Sequence, residues 1–288
     1  MDALSIVHFL NGLLMILLPV GLGIYLTRRW KMGWRLWFIG AGTFVLSQAG
    51  HIPFNLVAGL LLNRTPLVQL PPAGQLIFNA VFLGLSAGLF EELSRWAMFR
   101  WWARDARSWR TGILTGAGHG GAEAIIFGFL ALLAYAQLAA LRGTDLAAVF
   151  PADQLALAQQ QIAAYWSMPW YDSMLGAVER FFTIPVQIAF AVIVLQCFTR
   201  RRAYWVWLAV GYHALIDATA VLAVKYVGPY GTEAIVAGFS VLSVIIIFLL
   251  RRPEPAPEDL PAPPAPMKGF SPKPVEETSE NLDNTRFA

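Results

Sequence analysis

Apolar residues dominate seven stretches of this chain, approximately 4–26, 36–62, 74–102, 111–141, 173–198, 204–226 and 232–250. A helix rises ~1.5 Å per residue, so each stretch can cross roughly 30 Å of hydrocarbon, and the longer ones can also tilt or protrude. The pattern predicts an all-α fold, a polytopic transmembrane helical bundle of about seven spans. The long connection 142–172 places Leu155, Ala158, Ile162 and Tyr165 at helical spacing among Asp153, Gln154 and Gln159 to Gln161, which predicts a helix lying on the membrane surface. At Pro253 the pattern stops. The segment 253–288 carries nine of the eighteen prolines and an acidic end with Glu276, Glu277, Glu280 and Asp283. Such a segment cannot bury a core, so the reading is a helical bundle over 1–252 and a disordered, Pro-rich cytoplasmic tail over 253–288.

Composition agrees, with 57% of residues hydrophobic and 14% charged. The cations are distributed by loop. Arg28, Arg29, Lys31 and Arg35 follow the first span, Arg100, Arg104, Arg107 and Arg110 the third, Arg200 to Arg202 the fifth, and Arg251 and Arg252 the seventh; the other side has Arg64, Arg142 and Lys225. Short cytoplasmic loops favour Lys and Arg, so the N-terminus is expected outside and the C-terminus in the cytoplasm. The net charge of +3 then reports topology and asks for no nucleic-acid partner. The first cation is Arg28, so the first stretch lacks the basic start of a cleavable signal and is kept as a span. Cys197 alone excludes an intramolecular disulfide framework. Tryptophans near span ends, among them Trp30, Trp34, Trp37, Trp101, Trp102, Trp109 and Trp205, suit an aromatic belt among the lipids.

Against this apolar background the polar residues stand out. The third span reads Gly-Leu-Phe-Glu-Glu-Leu-Ser-Arg (88–95), the fourth Gly-His-Gly-Gly-Ala-Glu (118–123), the fifth Glu-Arg-Phe-Phe-Thr-Ile-Pro-Val-Gln (179–187) and the sixth Gly-Tyr-His-Ala-Leu-Ile-Asp (211–217). An ionised side chain at mid-bilayer costs about 2.5–3.5 kcal/mol even on lenient scales, so such residues face a cavity or a partner. Counted from the cytoplasmic ends at ~1.5 Å per residue, Glu91, His119, Glu123, Gln187, His213 and Asp217 all lie about 12–20 Å deep. They share one layer, as a single site between facing helices would require.

Residues three or four apart share a helix face, which pairs His119 with Glu123 and His213 with Asp217. Two such pairs are a plausible cage for a divalent metal, with ligands of the kind zinc accepts. Arg95 points between Glu91 and Glu92, so one glutamate can pair with it while the other faces the cavity. Gly84 and Gly88 share that face, and Gly112, Gly116, Gly118, Gly120 and Gly121 open the fourth span, so the third and fourth helices are expected to pack closely. Taking Glu91, Glu92, Glu123 and Asp217 against Arg95, with Glu179 and Arg180 cancelling, the layer carries a net −3 if all are ionised. Either a bound cation or protonated carboxylates must answer that charge. His51, with Gln48 and Asn55 on one face of the second span, can line the cavity or serve as an interhelical hydrogen-bonding residue.

Glu-Glu-x-x-Arg in one span, His-Gly-x-x-Glu in the next and His-x-x-x-Asp near the end resemble the YhfC-type intramembrane metalloproteases, related to the PrsW and CAAX-prenyl-endopeptidase/bacteriocin-processing families. The resemblance covers roughly 1–250. It implies an integral protein of the bacterial cytoplasmic membrane, bathed in membrane lipid, that hydrolyses a membrane-embedded or membrane-associated peptide. Carried onto these positions, it implies that Glu91 or Glu92 activates a water, and that His119 and His213 bind the metal or hold that water, assisted by Glu123 and Asp217. Arg95 belongs to the same catalytic motif. The family pattern also suggests a histidine in the Glu-Arg span, where this chain has Gln187, a residue better suited to support the site than to bind zinc. A proton- or ion-coupled transporter would equally place ionisable residues at the midplane, and a membrane scaffold could retain such a site without catalysis.

Overall fold

The computed structural model describes residues 2–251, so the expected tail at 253–288 lies outside the described residues. Among the described residues the chain is helical throughout, without strands. The helices are α1 (Ala3–Trp30), α2 (Arg35–Leu62), α3 (Pro72–Ala97), α4 (Trp109–Ala140), α5 (Ala152–Ser167), α6 (Leu175–Thr199) and α7 (Tyr204–Leu249). All but α5 are long and apolar enough to cross a membrane. Local chemistry fixes their ends. Asp2 accepts from the Ser5 amide at 2.8 Å to start α1, Lys31 in left-handed backbone (φ 53°) closes it, and a reciprocal Ser108/Thr111 capping box opens α4. The connection 142–172 holds the expected helix, α5. α3 continues as one wider turn over Met98–Trp102, which buries Met98 and Phe99.

A straight helix of 46 residues would run about 69 Å, more than twice the hydrocarbon thickness. α7 does not run straight. Gly228 adopts φ 71° and ψ −178°, outside the helical region and open to glycine at little cost, and Pro229 follows it. Tyr212 Oη then lies 2.9 Å from Ser243 Oγ, although 31 residues of continuous helix would hold them about 46 Å apart. The two limbs are therefore antiparallel, and they supply the sixth and seventh spans.

Two helices form the centre. Every residue of α6 from Val186 to Gln196 is buried, as is every residue of α4 from Gly112 to Ala122. Burial on all sides identifies inner helices. α1 and α2 pack on α4, whereas α3 and α7 pack on each other and on α6.

Glycine makes the close contacts, but not with the partners expected from sequence. A Cβ on Gly84 or Gly88 would meet the Ala214 or Val210 carbonyl at 2.6 or 2.8 Å, so these residues face α7 rather than α4. The α4 glycines are shared out: Gly116 and Gly120 face α6, while Gly118 abuts the Trp37 carbonyl of α2. This also moves Trp37 out of the expected belt, because its ring is buried against Gly121. A Cβ at Gly118 would sit 1.9 Å from that carbonyl oxygen, which is backbone and cannot rotate away. Gly118→Ala is therefore expected to destabilise the bundle by about 1–3 kcal/mol or more through overpacking, measured as a lower midpoint of unfolding in detergent. An unchanged midpoint would show that α2 can slide on α4.

Candidate functional site

The last third of α3 puts three polar residues into the bundle. Glu91, Glu92 and Arg95 lie within five residues, and all are buried, Glu92 and Arg95 completely. Arg95 donates to Glu92 and to the amide oxygen of Gln187 on α6, and reaches Glu91 Oε2 at 3.5 Å. Its guanidinium also lies over the Phe190 ring, 5.5 Å from the centroid. A cation so placed is held by charge and by the ring's negative face.

The two glutamates then turn to different histidines. Glu91 Oε2 is 3.1 Å from His119 Nε2 of α4, and Glu91 Oε1 accepts from Gln48 of α2 at 3.1 Å. Glu92 Oε1 is 2.8 Å from His213 Nδ1 of α7. His213 stacks on Phe190 at 4.4 Å between ring centroids and 6° between planes, and its Nε2 lies 3.4 Å from Asp217 Oδ2. Phe44 meets His119 edge-on at 5.2 Å. Five helices thus converge on one polar cluster. Asp217 forms its open edge, with 41% of its side chain exposed.

Glu123 lies one step away. Its carboxylate accepts from Arg180 at 2.6 Å and from Gln187 Nε2 at 2.6 Å, so Gln187 links Arg95 to Glu123 with its two ends. An amide does this because it both donates and accepts. Arg180 also donates to Glu179, and its guanidinium lies over Phe127. Its second partner changes the charge count: the buried or nearly buried charges are Glu91, Glu92 and Glu123 against Arg95 and Arg180, a net −1. The remaining acids, Glu179 and Asp217, are more than 40% exposed in their side chains. The structure thus brings Glu91, Glu92, Arg95, His119, His213 and Asp217 together and sets Glu123 behind Gln187. Gln48, which the sequence offers only as able to line the cavity beside His51, donates to Glu91, and Phe190 is a member that no sequence motif assigns to the site. Phe190 stands three residues after Gln187, on the same helix face, but a phenylalanine in an apolar span gives no other signal.

The donor set suits a divalent metal. One carboxylate oxygen from each of Glu91 and Glu92 and a ring nitrogen of His213 lie within 4.8 Å of one another, all three residues buried. The second Glu92 oxygen is buried without a hydrogen-bond partner. Oxygen and imidazole donors of this kind are what zinc and neighbouring divalent metals accept, and orphaned buried donors are costly unless something binds them.

Comparison with known proteins agrees with this chemistry. The sequence model described as YhfC intramembrane metalloprotease matches residues 14–241. The chain is 31% identical over 252 residues to the uncharacterized membrane protein YhfC of Bacillus subtilis (strain 168), covering 84% of this chain and 95% of the relative. No solved structure matches it. With the match extending from α1 into the second limb of α7, and therefore over every helix that contributes to the cluster, this chain belongs to the YhfC intramembrane metalloprotease family.

Proposed function

We propose that the chain is a metal-dependent peptidase of the bacterial cytoplasmic membrane that hydrolyses a membrane-embedded or membrane-associated peptide with water activated by Glu91. The observation that carries this reading is the convergence of Glu91, Glu92 and His213 within 4.8 Å inside the bundle. Glu92 and His213 would hold the metal, zinc in our reading, with Glu91 close enough to share it. A bound divalent metal would lower the pKa of a water and polarise the scissile carbonyl.

The protein's own groups divide the remaining work. Arg95 occupies one oxygen of Glu92 and fixes that carboxylate. Glu91 is held by Gln48 and His119 rather than by a close ion pair, which leaves it the better proton acceptor. It takes the proton of the attacking water and delivers it to the departing amine. His119 orients Glu91 through Nε2, Gln187 fixes the far side of Arg95, and Glu123 with Arg180 anchors Gln187. Asp217 orients His213 at the open edge. With the loop cations in the cytoplasm, the N-terminus lies outside.

Metal analysis of purified full-length protein tests this, paired with cleavage of a peptide embedded in vesicles. About one equivalent of metal is expected in the wild type and in His119→Ala, with a clear loss in His213→Ala, and cleavage should stop on chelation. Equal metal content in all three proteins would remove the metal site. Solute uptake driven by a pH gradient and indifferent to chelator would replace the peptidase by a transporter.

A further inference from the structure

The second half of α2 lies at the edge of the bundle, packed on α3 through His51 and Phe54. The buried residues of α2 are Leu36, Trp37, Gly40, Thr43, Phe44 and Ser47, and none follows Ser47. Between this outer half and the first half of α3 lies a cavity of about 210 Å³, lined in part by Asn55, Asn63, Gln75, Asn79, Phe78 and Phe82. None of the residues lining it is charged, and four of them are carboxamides. The outer flanks are apolar and open, with Leu56, Leu60, Ile77 and Val81 all exposed. The cleft therefore sets carboxamides among apolar walls and is reachable from lipid.

It is also wired to the site. Asn55 Nδ2 lies 2.9 Å from His51 Nε2, which is 3.1 Å from Ser86 Oγ; His51 Nδ1 lies 3.3 Å from Gln48 Oε1, and Gln48 Nε2 donates to Glu91 at 3.1 Å. A continuous row of hydrogen bonds leads from the cleft to the Glu91 carboxylate. Beside it, Asn55 Oδ1 is buried with no partner.

We propose that this α2–α3 cleft binds an uncoiled stretch of the substrate's backbone next to the scissile bond. The proposal rests on the peptidase reading above. A peptide in a membrane helix has its carbonyls engaged along the helix, so attack requires local unwinding, and each group released in hydrocarbon needs a new partner. A carboxamide offers one acceptor and two donors on one plane, the complement of a peptide unit. Ionic ligands would call for charged walls, which this cleft lacks. The ladder through His51 then makes the same wall that grips the backbone the wall that positions Glu91.

The test uses full-length protein carrying Glu91→Gln, so that bound peptide is not consumed. The probe is a Lys-flanked Leu/Ala peptide of about 24 residues, long enough to span, with Gly-Gly-Pro-Gly at its centre, in phosphatidylcholine vesicles. A photoreactive benzoylphenylalanine replaces Phe82 in the cleft or, as control, the lipid-facing Leu17 of α1. Cross-linking at position 82 should exceed that at 17 by about tenfold, and should fall about tenfold with Asn55→Leu plus Asn79→Leu, as loss of backbone hydrogen bonds implies. It should return with Asn55→Gln plus Asn79→Gln, and be similarly weak for an uninterrupted Leu/Ala helix. Equal labelling at 17 and 82, or labelling indifferent to the Leu pair, would overturn the proposal and leave a water-filled cleft. Labelling that behaves as expected while wild-type protein cleaves no peptide would sink the peptidase reading and leave the cleft standing.

Discussion

Glu91→Gln is expected to lower the rate of peptide cleavage by about 10²–10⁴, the usual contribution of a positioned acid–base group, while leaving the fold intact. Glutamine has the same shape as glutamate, and its carbonyl oxygen can still accept from Gln48. The residue is 6% exposed, so the neutral side chain even removes one buried charge. The loss should therefore fall on kcat, with the unfolding midpoint unchanged or slightly raised and KM little altered. Cleavage by Glu91→Gln within tenfold of wild type would take the base role from Glu91. Glu92→Gln should behave differently, since Glu92 is tied to Arg95 and His213: its expected signature is loss of metal together with activity.

Arg95→Met is expected to cost about 3–5 kcal/mol of stability, the range seen when one partner of a buried ion pair is removed. Arg95 is fully buried and serves Glu92, Glu91 and Gln187 at once, so methionine fills the space but leaves two neighbouring carboxylates without a counter-ion. The charge explanation makes a further demand. Adding Glu92→Gln to Arg95→Met should recover a large part of the loss, because the double variant removes both members of the closest pair. Unfolding midpoints of the four proteins measure the coupling. Additive losses would mean that Arg95 contributes by packing against Phe190 rather than by neutralising Glu92.

The spans were legible because hydrocarbon imposes a length and a polarity that few other environments demand. The same rule made Glu91, Glu92, Arg95, His119 and His213 visible: ionisable residues within spans are rare, so their depth alone groups them. Which residue touches which was less legible. Arg180 reads as the partner of its sequence neighbour Glu179, yet it also reaches Glu123 across 57 positions, a contact set by how α4 and α6 pack. Gly84 and Gly88 show that a small face exists without saying which helix fills it, and α7 fills it with Ala214 and Val210. Phe190 is the least visible member, because an aromatic ring in an apolar span looks the same whether it faces lipid or stacks on His213. Gln187, a departure when read as a missing metal ligand, has a geometric reason: its amide joins an arginine to a carboxylate, which a neutral histidine does less well with its ring nitrogens set apart.

The turn at Gly228 also bears on how the chain enters the bilayer. The first limb of α7 carries His213 and Asp217, and each polar residue near the centre of a solitary helix weighs against partition from the translocon. The second limb has Glu233 near its start and then runs apolar to Leu249. Folded back through Tyr212 and Ser243, the limbs can leave the translocon as one hairpin, the apolar limb carrying its polar sister into lipid. On that view the residues after 228 take no part in the chemistry and still decide whether His213 ever reaches Glu92. A chain released at the turn would hold every member of the site and lack the limb that covers Tyr212 beside it.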